Sequence, residues 1–118
     1  MKAGTPETPR ELWASLVEIC PAFAADLPVE ELEEREREGT ATFHFVMQPF
    51  ATYFGADQAA LHEKQLRQLA DLINRAVENA DDLENAVATC FLEHLNQIRG
   101  YKALGPFLSA RAKQKTRA

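Results

Sequence analysis

Hydrophobic residues return at helical spacing through most of this chain. Trp13, Leu16, Ile19, Cys20 and Phe23 share one face of a first helix, with Thr8 as N-cap, Pro9 at the first helical position and Glu11 three residues after the cap. Pro21 predicts where that helix breaks. The stretch "VEELEEREREG" offers only Val29 and Leu32 as apolar anchors, so it predicts a short surface helix stopped at Gly39. "TATFHFVMQPFATYFG" fits two periods at once. Phe43, Phe45 and Met47 alternate like a strand, whereas Phe43, Val46, Met47, Phe50, Tyr53 and Phe54 follow a helix. Pro49 breaks a helix interior but suits a first turn. This predicts an extended entry through Val46 and a helix from Met47 to Phe54 ending at Gly55, with a kinked continuous helix from Thr42 as the alternative.

Asp57 is expected to cap a long amphipathic helix whose stripe runs Leu66, Leu69, Ala70, Ile73, Val77 and Ala80, with Lys64, Arg67, Asp71, Arg75 and Glu78 turned away. After a turn at "NADD", Asp81 or Asp82 opens a second helix carrying Leu83, Val87, Cys90, Phe91, Leu95 and Ile98. So short a turn predicts an antiparallel helical hairpin over 58–98. Ala86, Ala88 and Leu92 widen the apolar stripe of its second arm to well over half the circumference, which predicts that this arm is central. Tyr101, Leu104, Phe107 and Leu108, with Pro106, then predict a last short helix. The expected fold is all-α: one domain over 1–118, a compact bundle of five or six helices around that hairpin, with 1–7 and 113–118 loose.

The totals fit this picture. A chain of 118 residues that is 46% hydrophobic and 26% charged can bury a core without disulfides. Cys20 and Cys90 both lie among apolar residues and read as small buried hydrophobes. No apolar run approaches the length of a membrane span, and the opening residues lack the apolar stretch of a signal peptide, so a cytoplasmic protein with no membrane association is expected. The net charge of −5 argues against general nucleic-acid binding, yet it is unevenly spread. Between Asp26 and Glu38 seven acids face only Arg35 and Arg37, and from His94 onward six Lys and Arg face no acid.

Candidate chemistry is sparse. A helical wheel turns His62 and His94 inward, and their distances from the turn differ by roughly 9 Å along the hairpin, too far to share a metal. His44 and the cysteines add potential N/S ligands without the short spacing of a zinc site. Cys90, between Thr89 and Phe91, is expected to point into the core rather than act as a nucleophile, and neither serine lies in a glycine-flanked turn. No glycine-rich phosphate loop is present. The expectation is a non-enzymatic protein with no catalytic residues, no metal and no cofactor.

The segment from Glu78 to Ala112, above all "LENAVATCFLEHL" followed by "LGPFLSARAK", resembles a small bacterial all-α domain family of unknown function. Asn85, Ala86, Val87, Phe91, Leu92, Glu93, Leu95 and Gly105 to Phe107 carry that resemblance. It implies a helical fold and a binding role and assigns no catalytic residues. Two functional expectations follow. The first is a protein-binding module using Glu30, Glu31, Glu33, Glu34, Glu36 and Glu38, whose polyanionic run would steer toward a basic partner. A toxin-neutralising, immunity-type role is its most specific form, by association with small acidic bacterial proteins of that kind. The second is a nucleic-acid-associated accessory protein using Arg99, Lys102, Arg111, Lys113, Lys115 and Arg117. The apolar residues between Phe43 and Phe54 also leave room for a homodimer that covers them.

Overall fold

A computed structural model describes residues 5–95 and 101–116. These form eight α-helices: α1 (Pro9–Ile19), α2 (Phe23–Asp26), α3 (Val29–Glu38), α4 (Phe43–Asp57), α5 (Glu63–Ala76), α6 (Asp82–Cys90), α7 (Tyr101–Leu104) and α8 (Ala110–Lys115). Single 3₁₀ turns at Gln58–Ala60, Leu92–His94 and Gly105–Phe107 join them, and the described residues contain no strand. The radius of gyration, 13.2 Å, is close to the roughly 13.5 Å expected of a compact chain of this length.

The N-terminal signals act as read. The Thr8 hydroxyl accepts from the Glu11 N–H, and Pro9 opens α1, which ends at Ile19 just before Pro21. The Glu11 carboxylate reaches back to the Glu7 N–H at 2.7 Å. α3 buries only Leu32 and closes in a Schellman motif, with Thr40 N–H on the Arg35 carbonyl and Gly39 N–H on that of Glu36. Gly39 there takes φ +75°, a left-handed conformation that a side chain resists.

The segment around Pro49 departs from the extended entry expected through Val46. α4 is continuous from Phe43 to Asp57, passes Gly55 without stopping, and starts where Thr42 accepts the Phe45 N–H at 3.0 Å. Pro49 removes one backbone donor, but the helix buries Val46, Met47, Phe50, Ala51, Tyr53 and Phe54 together. That apolar burial, at about 1.5–3 kcal/mol for each large side chain, outweighs the roughly 3 kcal/mol cost of an interior proline. These side chains are covered by the chain's own core, and Phe43 and Phe45 of the same segment are half-buried against it.

α4 is also the centre, not α6. Phe50 meets Phe23 edge-on at 5.0 Å between centroids and lies within 6.4 Å of Tyr53, Phe54 and Phe91. The widest helix contact joins α4 to α6, with α1 and α2 on the other flank of α4. Both arms of the expected hairpin are shorter than their periodicity. α5 is capped by His62 rather than Asp57, after a 3₁₀ turn and the extended Leu61. α6 ends at Cys90, because Phe91 leaves helical geometry (φ −126°, ψ −62°). From there Phe91, Leu92 and Leu95 are all fully buried in and beside the 3₁₀ turn. α8 carries structure into the stretch expected to be loose: Ser109 caps it, and Ala112 and Thr116 are buried.

Candidate functional site

The acidic run becomes a rigid helix with two unlike faces. Glu33 and Glu36 turn back to Arg10 of α1, whose guanidinium grips Glu36 through two contacts (2.8 and 3.2 Å) and Glu33 at 3.5 Å. The hydrogen bond to Glu36 raises the Arg10 pKa further, keeping it charged. Trp13 Nε1 donates to the carbonyl of Leu27, the residue that ends α2, at 2.8 Å, and Arg35 lies 4.6 Å over the Phe45 ring, so with the Arg10 contacts α3 is tied to α1 and α4. Glu30, Glu31, Glu34 and Glu38 are exposed and form no ion pair among the described residues. At 100° per residue these four fall within an arc of about 100°, opposite Leu32.

The basic residues of the C-terminal segment differ in exposure among those described. Lys102 and Arg111 are exposed, Lys113 is half-buried, and Lys115 is engaged by Glu84 of α6 at 2.7 Å. Arg99 and Arg117 lie outside the described residues. α8 is docked through Asn74 of α5, which accepts from the Ser109 N–H at 2.8 Å and donates to the Phe107 carbonyl at 3.2 Å.

The histidines reverse the wheel reading. His62 is exposed at the N-cap of α5, and His94 is exposed in the 3₁₀ turn. Both inward assignments assumed uninterrupted helices, and each histidine sits where the helix has stopped. His44 is the one that makes contacts. It stands half-buried in the first turn of α4, with Nδ1 3.0 Å from Cys90 Sγ and Nε2 3.4 Å from the Asn85 amide. Cys90 is half-buried and packs against the core from its edge. The Thr89 hydroxyl donates to the Asn85 carbonyl at 2.8 Å and lies 3.9 Å from the Cys90 sulfur. His44 also forms part of the wall of a cleft of about 410 Å³ with Pro9, Ala41, Thr42, Phe43 and Asp82. No group of three or more His, Cys, Asp or Glu suited to a metal occurs among the described residues.

Sequence reasoning missed this trio. Asn85 and Cys90 lie five apart on α6, but His44 is 41 residues before Asn85, and nothing local pairs them. The available signal was Thr42 as a cap, which puts His44 in a first helical turn.

The other cysteine is a packing element. Cys20 is 1% exposed, and burial pushes its thiol up to about 11, opposed by a hydrogen bond from Tyr53. Burial likewise raises the Tyr53 phenol to about 12.

The model of a domain of unknown function, DUF7674, matches residues 13–117. The chain belongs to this family. The match begins inside α1 and takes in α3, His44, Asn85 and Cys90 along with the 78–112 segment that carried the resemblance. No significant match was found among curated proteins or solved structures. Among the described residues, no helix of this family member is long and apolar enough to cross a membrane.

Proposed function

We propose that the chain is a non-enzymatic protein-binding module that presents the outer face of α3 to a basic protein surface. The observation that carries this reading is the arrangement of Glu30, Glu31, Glu34 and Glu38 within one arc of a helix whose inner face is held by Leu32, Arg10 and Arg35. A held helix loses little conformational freedom on binding, so its charges act from fixed positions. Four like charges on a low-dielectric body steer an oppositely charged partner and give fast, salt-dependent association. A basic toxin is the most specific partner of this kind, and neutralising it would need only that the acidic face cover its cationic site.

The test is capture of a protein partner from host lysate at low and moderate salt, comparing the native chain with two variants of equal net charge. Reversing Glu30, Glu31, Glu34 and Glu38 to Lys should abolish capture of a stoichiometric partner. Reversing four exposed acids elsewhere (Glu18, Glu63, Glu78 and Asp71) should leave it within about threefold. Equal loss in both variants would reduce the effect to net charge and remove α3 as the interface.

A further inference from the structure

The phenylalanines fall into two groups. Phe23, Phe50, Phe54 and Phe91 are fully buried, while Phe43, Phe45 and Phe107 are half-buried at the edge of the core. Two of the edge rings lie under a guanidinium of the chain itself: Arg35 is 4.6 Å over Phe45 and Arg67 is 4.6 Å over Phe107. Phe43 has no such cover among the described residues, and it stands among carboxylates. Together with Asp82 it walls two adjoining clefts, one of about 410 Å³ toward Ala41 and one of about 480 Å³ toward Pro6 and Glu7. We propose that these joined clefts receive an arginine side chain of the basic partner protein, its guanidinium lying on Phe43 and forked to Asp82. This contact rests on the α3 reading and extends that face by one anchor.

The walls are apolar with a negative balance. Pro6, Pro9, Ala41 and Leu83 join Phe43, whereas Glu7, Asp81 and Asp82 bring carboxylates and no lysine or arginine is present among the described residues. Asp81 accepts the Glu84 N–H at 2.9 Å and so is partly engaged by its own helix. The carboxylates of Asp82 and Glu7 have no hydrogen bond or ion pair among the described residues. Three helix starts also meet here, since Pro9 opens α1, Thr42 caps α4 and Asp81 caps α6. Each helix end adds at most about half a positive charge, so three carboxylates keep the clefts net negative. His44, the remaining ionisable group on the walls, is held by Cys90 and Asn85.

Arginine fits these walls better than lysine. A guanidinium is planar and weakly hydrated; its face lies on an aromatic ring while its edge forks to a carboxylate. An ammonium holds its water more tightly and offers no flat face. The chain already uses both halves of this chemistry, Arg10 gripping Glu36 through two contacts and Arg35 and Arg67 lying on rings. Position links the clefts to α3. Ala41 on the cleft wall is three residues beyond Glu38, so their Cα atoms are at most about 11 Å apart. Pro9 on the same wall precedes Arg10, which holds Glu33 and Glu36. A basic surface lying on Glu34 and Glu38 therefore borders this groove.

The test titrates the full chain with N-acetylarginine methylamide, with the lysine and citrulline analogues in parallel, and reads backbone amide shifts by NMR. Arginine should give saturable shifts at Phe43, His44, Asp82 and Leu83, about threefold tighter than lysine, the size of an exposed cation–π preference. Uncharged citrulline should give none. Asp82→Asn, at an exposed position that leaves the Asp81 cap in place, should weaken arginine about fivefold. Phe43→Leu keeps apolar packing and should bring arginine and lysine to parity. The chain with Glu30, Glu31, Glu34 and Glu38 reversed should still bind the probe within about twofold at physiological salt, because exposed charges beyond a Debye length are screened. Capture of the partner by an Asp82→Asn chain with native α3 should fall about fivefold. No saturable shift at those four amides, equal binding of arginine and lysine by native protein, or an unweakened Asp82→Asn would overturn the arginine site and leave the α3 face standing. Probe binding at the cleft with partner capture unchanged in Asp82→Asn would overturn its place in the interface. Dimerisation of the native chain that Asp82→Asn abolishes would assign the groove to a second copy and overturn the proposed occupant.

Discussion

Gly39 shows how one backbone conformation closes an element. No atom stands within 4 Å of where its Cβ would sit, so steric crowding is not the constraint, yet φ is +75°. Gly39→Ala should therefore lower unfolding free energy by about 1–2 kcal/mol, read from a urea midpoint at unchanged slope. Cys20 and Tyr53 make a second prediction at this scale. Both acids are protonated at neutral pH, and both have folded-state values raised by burial, Cys20 from 9.0 to about 11 and Tyr53 from 10.0 to about 12. The folded chain then holds protons that the unfolded chain releases. The contribution is intact below pH 9, and stability falls as pH rises from 9 toward 12. The slope should approach roughly 1.4 kcal/mol per pH unit for each group within its own window. Urea midpoints from pH 8 to pH 11 would read this loss, and Cys20→Ala should flatten its lower part. A midpoint independent of pH over that range would contradict it.

Helices here are placed by caps and clamps as much as by their apolar stripes. Thr8, Thr42, Asp81 and Ser109 each accept the N–H three residues on, and each marks a helix start. Asp57 resembles a cap by residue type but does not act as one, because α4 runs through it. Gln65 does that work from inside α5, accepting the His62 N–H at 2.8 Å and donating to the Ile19 carbonyl at 3.0 Å, so the start of α5 is set against the end of α1. Asn74 is the corresponding clamp for the C-terminal segment. Its two hydrogen bonds satisfy backbone groups of Phe107 and Ser109, which Asn74→Ala would leave partly unpaired. That variant should be destabilised by about 1–3 kcal/mol, with hydrogen exchange accelerated first in α8. Uniform exchange across the molecule would show instead that α8 opens only with the whole fold.

At the scale of the molecule, charge and core are arranged separately. The aromatic cluster around Phe50 draws on α2, α4 and the turn after α6, while the outward glutamates of α3 lie on a helix that contributes one fully buried residue, Leu32. Changes on that outer face should therefore alter association with little effect on folding. The charge-reversed α3 variant is expected to unfold within about 0.5 kcal/mol of the native chain, while its partner capture collapses. A large loss of stability in that variant would mean that the outer glutamates also support the fold.

The amino-acid pattern alone carries the all-α class, the start of α1, the stop at Gly39, the amphipathic face of α5 and a cap at the Asp81–Asp82 pair, of which the structure uses Asp81. Each depends on interactions within a few residues, where spacing and side-chain chemistry are sufficient. Continuity through Pro49, the termination of α6 at Cys90, the central place of α4 and the outward turn of His62 and His94 depend on which large side chains find cover elsewhere in the chain. Burial energy summed over distant residues exceeds a local proline or cap preference, so a local reading misplaces those features. The same holds for the chemistry. Six glutamates in one run are visible in the sequence, but their division into four outward and two paired with Arg10 needs α1 beside α3. His44, Asn85 and Cys90 become one group only because α4 packs on α6, a long-range contact that no short spacing encodes.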